Sequence, residues 1–543
     1  MRARVRLVRF NFLTEFDYII IGAGSAGCVL AERLTANGKW TVLVIEAGAS
    51  RGNFLLEMPT GFIRLGAASP YRWMYQIEPE LGNAQRAEVW PRGRVVGGSS
   101  SVNGMIYNRG RRDDYQELGS VAGPLWNCTS MLPYLRDAED HSLGANEVRG
   151  VGGPLGITMP PHHPYFDALI AAGSQVGLKP TADVNDPSAD EVIGYAPWTI
   201  RGGVRCSAYT AFLAPSLARS NLTVMSSTRV ERIIVEARVA KGVICTGDHA
   251  GRYFARRDVI LSAGAIATPQ LLMLSGIGDA EKLRALGLDV IQHVPEIGRD
   301  LVEHRTMTMR FRACVGASIN SSYMGARLYA NLVRFVLRRD GPMAYAPFCV
   351  AAFPRILEES RRADAEILFA NYSLDPKAVP RSVEKEPGVN CVFFPLRPTS
   401  KGCIELRSPN PAVPPIIRPN YLSTSADRKI AIGLVRRVRE LFRQNSLAGY
   451  VRSEVFPTAG VESDQDLLDV WRESGGCGYH AIGTCRMGTD EAAPVDTNLR
   501  LRAVRNLRVM DCSVLPIMVA GNTNAPIMAM AARGADLMLE EKH

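Results

Sequence analysis

Three glycines, an acid and one histidine carry the chemistry that can be read from this sequence first. In Gly22-x-Gly24-x-x-Gly27, the first glycine permits a tight turn and the second lets the backbone approach phosphate oxygens. The third lets a helix pack close on a strand. Glu46, 19 residues after Gly27, is placed to accept the two hydroxyls of an adenosine ribose. An acid there disfavours a 2′-phosphate, so NADP is disfavoured, while FAD and NAD stay open. With Ser25, Ala26 and Ala47, these residues form a candidate dinucleotide grip. His480 stands apart from the other histidines because Gly475, Gly476, Gly478 and Gly483 surround it with thin backbone. Its imidazole, with an ordinary pKa of about 6.5, suits the removal of a hydroxyl proton near neutrality. His162 and His163 lie between prolines and read as a solvated loop. His249, His293 and His304 have no second motif beside them and read as packed or solvent-facing, and His543 is the last residue.

These groups need a scaffold, and the residue pattern around them predicts one. The apolar run FDYIII from Phe16 enters the glycine turn, SAGCVLAERL has helical spacing, and TVLVIEAG reads as a second buried strand. This strand–turn–helix–strand unit is the first βαβ of a doubly wound sheet. The Gly-, Pro- and Arg-rich stretch 50–110 lacks period and reads as cofactor-covering loops. NLTVMSSTRVERIIV suggests paired strands, and ARRDVILSAGAIATPQLLMLSGIG a strand, turn and short helix. Between about Leu301 and Glu473, strand-like runs such as DAEILFANYS and VNCVFFPL alternate with Pro-rich turns, the composition of an antiparallel sheet with helices. The C-terminal stretch returns to the style of the start.

The composition narrows the function classes. Of 543 residues, 46% are hydrophobic and 22% charged, which argues against disorder. No apolar window reaches the roughly 18 residues of a spanning helix. The net charge of +9 comes without a basic run interleaved with aromatics, so nucleic acid is not an expected partner. A charge of that sign is compatible with an anionic substrate or a membrane surface. Eleven cysteines without CxxC or zinc spacing, Cys28, Cys206 and Cys349 among them, read as reduced structural thiols, and no metal is expected. The expected location is cytoplasmic, with peripheral membrane association open. The Arg-rich residues 1–15 read as a basic extension rather than a secretory signal.

Three longer stretches bring in a resemblance. GRVVGGSSSVNGMIYNRG (93–110) resembles the first motif of the glucose–methanol–choline (GMC) oxidoreductases, and GAIATPQLLMLSGIG (264–278) resembles their second. YHAIGTCRMG, NLRVMDCSVLP and GNTNAPIMAMAARGADLM are similar to the close of the choline dehydrogenase-like branch. The resemblance runs from about Phe16 to Leu539. It implies an α/β FAD-binding Rossmann-like domain with an inserted α+β substrate domain on an antiparallel sheet. The expected FAD-binding segments are 16–155, 200–300 and 474–543, with 156–199 and 301–473 as the substrate domain.

The same resemblance implies an FAD-dependent alcohol dehydrogenase or oxidase. Hydride would pass to flavin N5, and His480, in the HxxGT motif, would act as general base. It places Gly93, Arg94, Gly97, Ser101, Asn103, Gly104 and Met105 along the pyrophosphate and isoalloxazine, and Val230 on the adenine. Ala263, Tyr479, Asp511, Asn522 and Pro526 complete the implied cofactor set. The Gly-Gly-Ser-Ser-Ser run suits that role through its compact, N–H-rich backbone. Members that tether FAD do so through a histidine, and the matching position is Val102, so FAD is expected to be non-covalent. The second catalytic partner is Asn522, with Asn524 competing; either can also cap the helix that follows. The expected partners are a small-molecule alcohol and O2 or a quinone-like acceptor, in a monomer or homodimer. Tyr71, Trp73, Tyr75, Tyr345 and Phe348 can line an apolar or cation-binding cavity or simply pack. A hydroxynitrile lyase and an NAD-dependent dehydrogenase are the competing readings.

Overall fold

The computed structural model describes residues 14–50, 53–65, 69–187, 190–376, 378, 382–455 and 457–541. Of the basic extension expected at 1–15, residues 1–13 lie outside this set. Two sheets organise the chain. In the first, β1 (Glu15–Ile21) and β2 (Val42–Ile45) flank α1 (Ser25–Thr35), as the glycine motif predicts. β1 begins at Glu15, one residue earlier than expected. β3 (Leu222–Met225), β4 (Thr228–Glu236), β5 (Val239–Gly247) and β6 (Gly251–Leu261) complete the order β3-β2-β1-β6-β5-β4, and Leu507–Val509 pairs with β6. β3, β2, β1 and the second half of β6 run parallel, with Tyr18 opposite Val42 and Asp258. Every residue of β2 and the Ile19–Ile21 run is buried, because helices cover a parallel sheet on both faces.

The second sheet is almost wholly antiparallel. β7 (Arg305–Ala313), β8 (Val350–Ala352), β9 (Ala365–Ala370), β10 (Gly388–Pro395) and β11 (Val451–Val455) lie in the order β11-β7-β10-β9-β8, continued by Val192–Tyr195 and Lys179–Pro180. β7 alternates buried and half-buried residues without a break, the signature of a strand that packs one face inward. Phe311 stacks on Phe442 of the helix Ser425–Phe442, with ring centroids 3.8 Å apart. Glu366 of β9 and Phe394 of β10 are register partners, so both side chains emerge on one face. Gly476–Cys477 pairs with the start of β7 and delivers the following residues, Gly478 to His480, to the junction of the sheets.

Candidate active site

The glycine turn is built for a ligand that approaches its backbone. Gly22 has φ +102, and a Cβ there would lie 2.5 Å from the Ser262 carbonyl oxygen; one on Gly27 would lie 2.0 Å from that of Gly22. Both positions exclude a side chain. At Gly24, by contrast, a Cβ would meet only the Ser262 oxygen, 3.8 Å away. The turn is therefore open at the residue that leads into α1, where backbone N–H groups and the helix dipole favour phosphate. Glu46 is buried, and its two oxygens accept N–H bonds from Ala23 (3.0 Å) and Gly48 (2.8 Å). Each oxygen retains a lone pair that can serve a ribose hydroxyl. Burial raises its pKa to about 7.

The other glycine loop docks on the first. The Gly97 N–H donates to the Ala23 carbonyl (2.7 Å), and a Cβ on Gly98 would lie 2.7 Å from the Gly24 Cα. Ser25 donates to Asn524 Oδ1 (2.7 Å), which ties α1 to the last helix. Ser101 bonds the Val96 carbonyl, and Asn103 Oδ1 accepts from the Met105 N–H and from Arg205. Met105 (φ +59) and Tyr479 (φ +68) both hold left-handed backbone, a conformation that costs a non-glycine residue about 1–2 kcal/mol. Ala263 starts the helix Gly264–Leu274, and Asp511 serves that helix: its carboxylate accepts from the Gly264 N–H, Thr268 Oγ1 and the Ser513 N–H. Val230 and Pro526 are buried, Gly93 backs onto Gly98, and Arg94 lies over the Trp73 ring. The 22–27 turn, Glu46 and the Gly97–Gly98 loop meet at the C-terminal ends of β1 and β2, whereas Gly104 lies beside Pro347. Their chemistry fits FAD: an N–H-rich turn for pyrophosphate, an acid for ribose, and a compact loop for a flat ring.

Around His480 a chain of hydrogen bonds fixes which nitrogen carries hydrogen. The Leu396 carbonyl can only accept, so His304 Nε2 donates to it (2.9 Å). Burial lowers the pKa of His304 to about 4, so the ring is neutral and its Nδ1 bears a lone pair. That lone pair faces His480 Nδ1 at 2.8 Å, which must therefore carry the hydrogen. His480 Nε2 is left bare, and Asn522 Nδ2 donates to it at 2.8 Å. The opposite end agrees: Asn108 Nδ2 donates to Glu366 Oε1 (2.8 Å) and to Asn522 Oδ1 (3.0 Å), so the NH2 of Asn522 turns to the imidazole. Two strings from different elements thus demand the same tautomer.

Glu303 holds this arrangement in place. Its Oε1 accepts the backbone N–H groups of His480 (2.6 Å) and His304 (2.9 Å), and Oε2 accepts from Arg92 (3.0 Å). Phe394 stacks on His304 at 4.6 Å and tilts against His480 at 5.8 Å. In this dry setting the His480 pKa falls well below 6.5, first through burial and then through the positive charge that His304 and Arg92 oppose. Burial pushes Glu366 up to about 7, and its Oε2 has no hydrogen-bond partner among the described residues.

The structure brings Asn522 to His480 and sends Asn524 to Ser25, which separates the two candidates. His304, expected to be packed or solvent-facing, is buried and packed but bonds His480 directly. Asn108, Glu303 and Glu366 join the network without having been singled out. Their signals were modest: Asn108 lies inside the 93–110 stretch, Glu303 adjoins His304, and Glu366 is an acid within an apolar strand. Of the aromatics, Trp73 packs between the guanidiniums of Arg94 (4.5 Å) and Arg229 (5.5 Å) and stacks on Tyr75, while Tyr345 lies against Trp198.

Comparison with known proteins matches two family models described as GMC oxidoreductase, over residues 16–306 and 398–531. The chain is 36% identical to human mitochondrial choline dehydrogenase, over 96% of this chain and 90% of that one. It is 33% identical to alcohol dehydrogenase [acceptor] of Pseudomonas putida, over 97% and 96%. Among solved structures, pyridoxine 4-oxidase from Mesorbium loti superposes with a TM-score of 0.87 at 30% identity, covering 97% of this chain and all of that one.

Proposed function

The chain belongs to the GMC oxidoreductase family, and from that premise we propose that it oxidises the CH–OH group of a primary alcohol with FAD, His480 acting as general base. Bound FAD supplies the hydride acceptor, at flavin N5. The protein supplies the rest. Gly24 and the start of α1 would hold the pyrophosphate, on the turn that Gly22 and Gly27 shape and the Gly97 loop docks against; Glu46 would hold the ribose, and the Asn103–Met105 segment would meet the ring. The bare Nε2 of His480 takes the hydroxyl proton. Asn522 Nδ2–H, which bonds that nitrogen in the structure, turns its donor to the substrate oxygen and orients it. An amide is a poor base, so the proton falls to His480 alone. The observation that carries this reading is the tautomer set from both ends of the network.

The FAD-binding unit is proposed to comprise 16–155, 200–300 and 474–543, with 156–199 and 301–473 binding substrate. The strand membership of the two sheets supports this division, Gly476–Cys477 being the segment that crosses over. Val102, packed with Leu56, Leu65 and Val95, cannot form a bond to flavin, so FAD is held non-covalently. Choline-like, aliphatic, aromatic and furanic alcohols and the hydroxymethyl of a vitamin B6 form are the candidate substrates. The relatives include both an alcohol dehydrogenase [acceptor] and an oxygen-dependent choline dehydrogenase, so the proposed acceptor is O2 or a quinone-like carrier. A panel of these alcohols mixed with the purified enzyme, with and without air, tests the proposal. Anaerobic bleaching of the yellow flavin supports it; a flavin that no alcohol bleaches overturns it.

A further inference from the structure

One helix presents an apolar stripe to solvent. α2 (Gly325–Arg338; GARLYANLVRFVLR) buries Phe335 and half-buries Leu328 and Leu332 against Met58 and Met343. On its outer side Tyr329 is 70% exposed, Val333 58%, Val336 56% and Leu337 76%. With Ala326 and Ala330 these residues share an arc of roughly 120° on a helix of 3.6 residues per turn. Arg327, Arg334 and Arg338 form the adjoining stripe, and the helix contains no acidic residue. From Gly325 to Asp340 there are four arginines and one aspartate, a net charge of +3. Arg334 pairs with that Asp340 at 2.6 Å.

From this arrangement we infer that α2 is an interfacial anchor that lies on an anionic phospholipid bilayer. An exposed apolar arc bordered by guanidiniums matches such a surface: the arc enters the headgroup boundary, and the arginines meet lipid phosphates. Two copies of the face placed together would instead bring like charges into contact. The position of the helix gives the anchor a purpose. The chain leaving α2 runs through Pro342–Ala344 to Pro347, whose ring lies 3.2 Å from where a Cβ on Gly104 would be. Membrane contact therefore tethers the chain that packs on the proposed cofactor segment to the phase in which a lipid-soluble quinone acceptor dissolves. Only this last consequence rests on the proposed reaction; the anchoring does not.

The test is co-sedimentation of the FAD-loaded protein with phosphatidylcholine vesicles, with and without phosphatidylglycerol. The wild-type protein pellets with the anionic vesicles, and added salt weakens the binding. Val333→Gln combined with Leu337→Gln, both on the exposed face, lowers the partition coefficient roughly tenfold or more. Arg327→Gln with Arg338→Gln removes the preference for phosphatidylglycerol. Both double variants retain flavin and its bleaching by alcohol, so a failed reaction and a failed anchor give different results. Wild-type protein that stays in the supernatant, or an apolar variant that pellets equally well, overturns the inference. So does a dimer, seen by sedimentation, that Val333→Gln with Leu337→Gln converts to monomer.

Discussion

His480 is held between two groups that each allow it one role. His304, fixed by the Leu396 carbonyl, needs a donor from Nδ1; Asn522, fixed through Asn108 by Glu366, needs an acceptor at Nε2. With its pKa well below 6.5, the ring is in its base form at and above that pH and is lost as base only when the pH falls further. The acid limb that His480 gives to the rate of flavin reduction is therefore expected below pH 6.5. Arg92→Gln raises that limb, because the guanidinium that opposes the positive charge on His480 is gone; an unmoved profile would disprove the coupling. Asn522→Ala is expected to slow reduction about 10²-fold, the size of loss that follows removal of one positioned donor to a reacting oxygen. Asn524→Ala removes only the Ser25 bond and costs about 1 kcal/mol of stability; the reverse pattern in stopped-flow and melting experiments would reassign the two asparagines. His480 was legible because glycines frame it. His304 was not, since it lies 176 residues away and only the packing of β7 against Gly476–Cys477 brings the rings together.

At the scale of the element, the glycine turn separates folding from cofactor binding. Gly24→Ala adds a methyl group where the protein leaves room. It should yield a folded chain whose FAD affinity, measured by titration of the apoprotein, falls tenfold or more because the phosphates approach there. Gly27→Ala drives a Cβ into the Gly22 carbonyl and should abolish soluble protein. A Gly24→Ala variant with unchanged affinity would argue against the phosphate position. The β1–α1–β2 unit was readable because its signals are local: a β-branched run, a glycine turn and an acid at fixed distance. The strand order β3-β2-β1-β6 was not, since β6 joins β1 across more than two hundred residues. The amphipathic period of α2 is written in LYANLVRFVLR, but which apolar residues face water is decided by Met58 and Met343 on one side only.

For the whole molecule, the proposed FAD site lies among α1, the 97–105 loop and the C-terminal segment, so that bound FAD would clasp the three together. Non-covalent attachment predicts that denaturation releases all the flavin into the filtrate. Free FAD at 100 times its dissociation constant should then stabilise the refolded protein by about 2.7 kcal/mol, read as a rise in melting temperature. Flavin that stays with the denatured chain would contradict the reading of Val102. The two-sheet plan followed from composition because a parallel core and an antiparallel insertion differ in pattern. The meeting of Glu366 with Asn108 did not, because 258 residues separate them and the contact exists only once both sheets have formed. The central claim, alcohol oxidation with His480 as base, is tested most directly by anaerobic mixing of wild-type and His480→Ala enzymes with an alcohol that bleaches the flavin. The variant is expected to bind FAD normally and to bleach 10²–10⁴-fold more slowly; equal rates in the two proteins would contradict it.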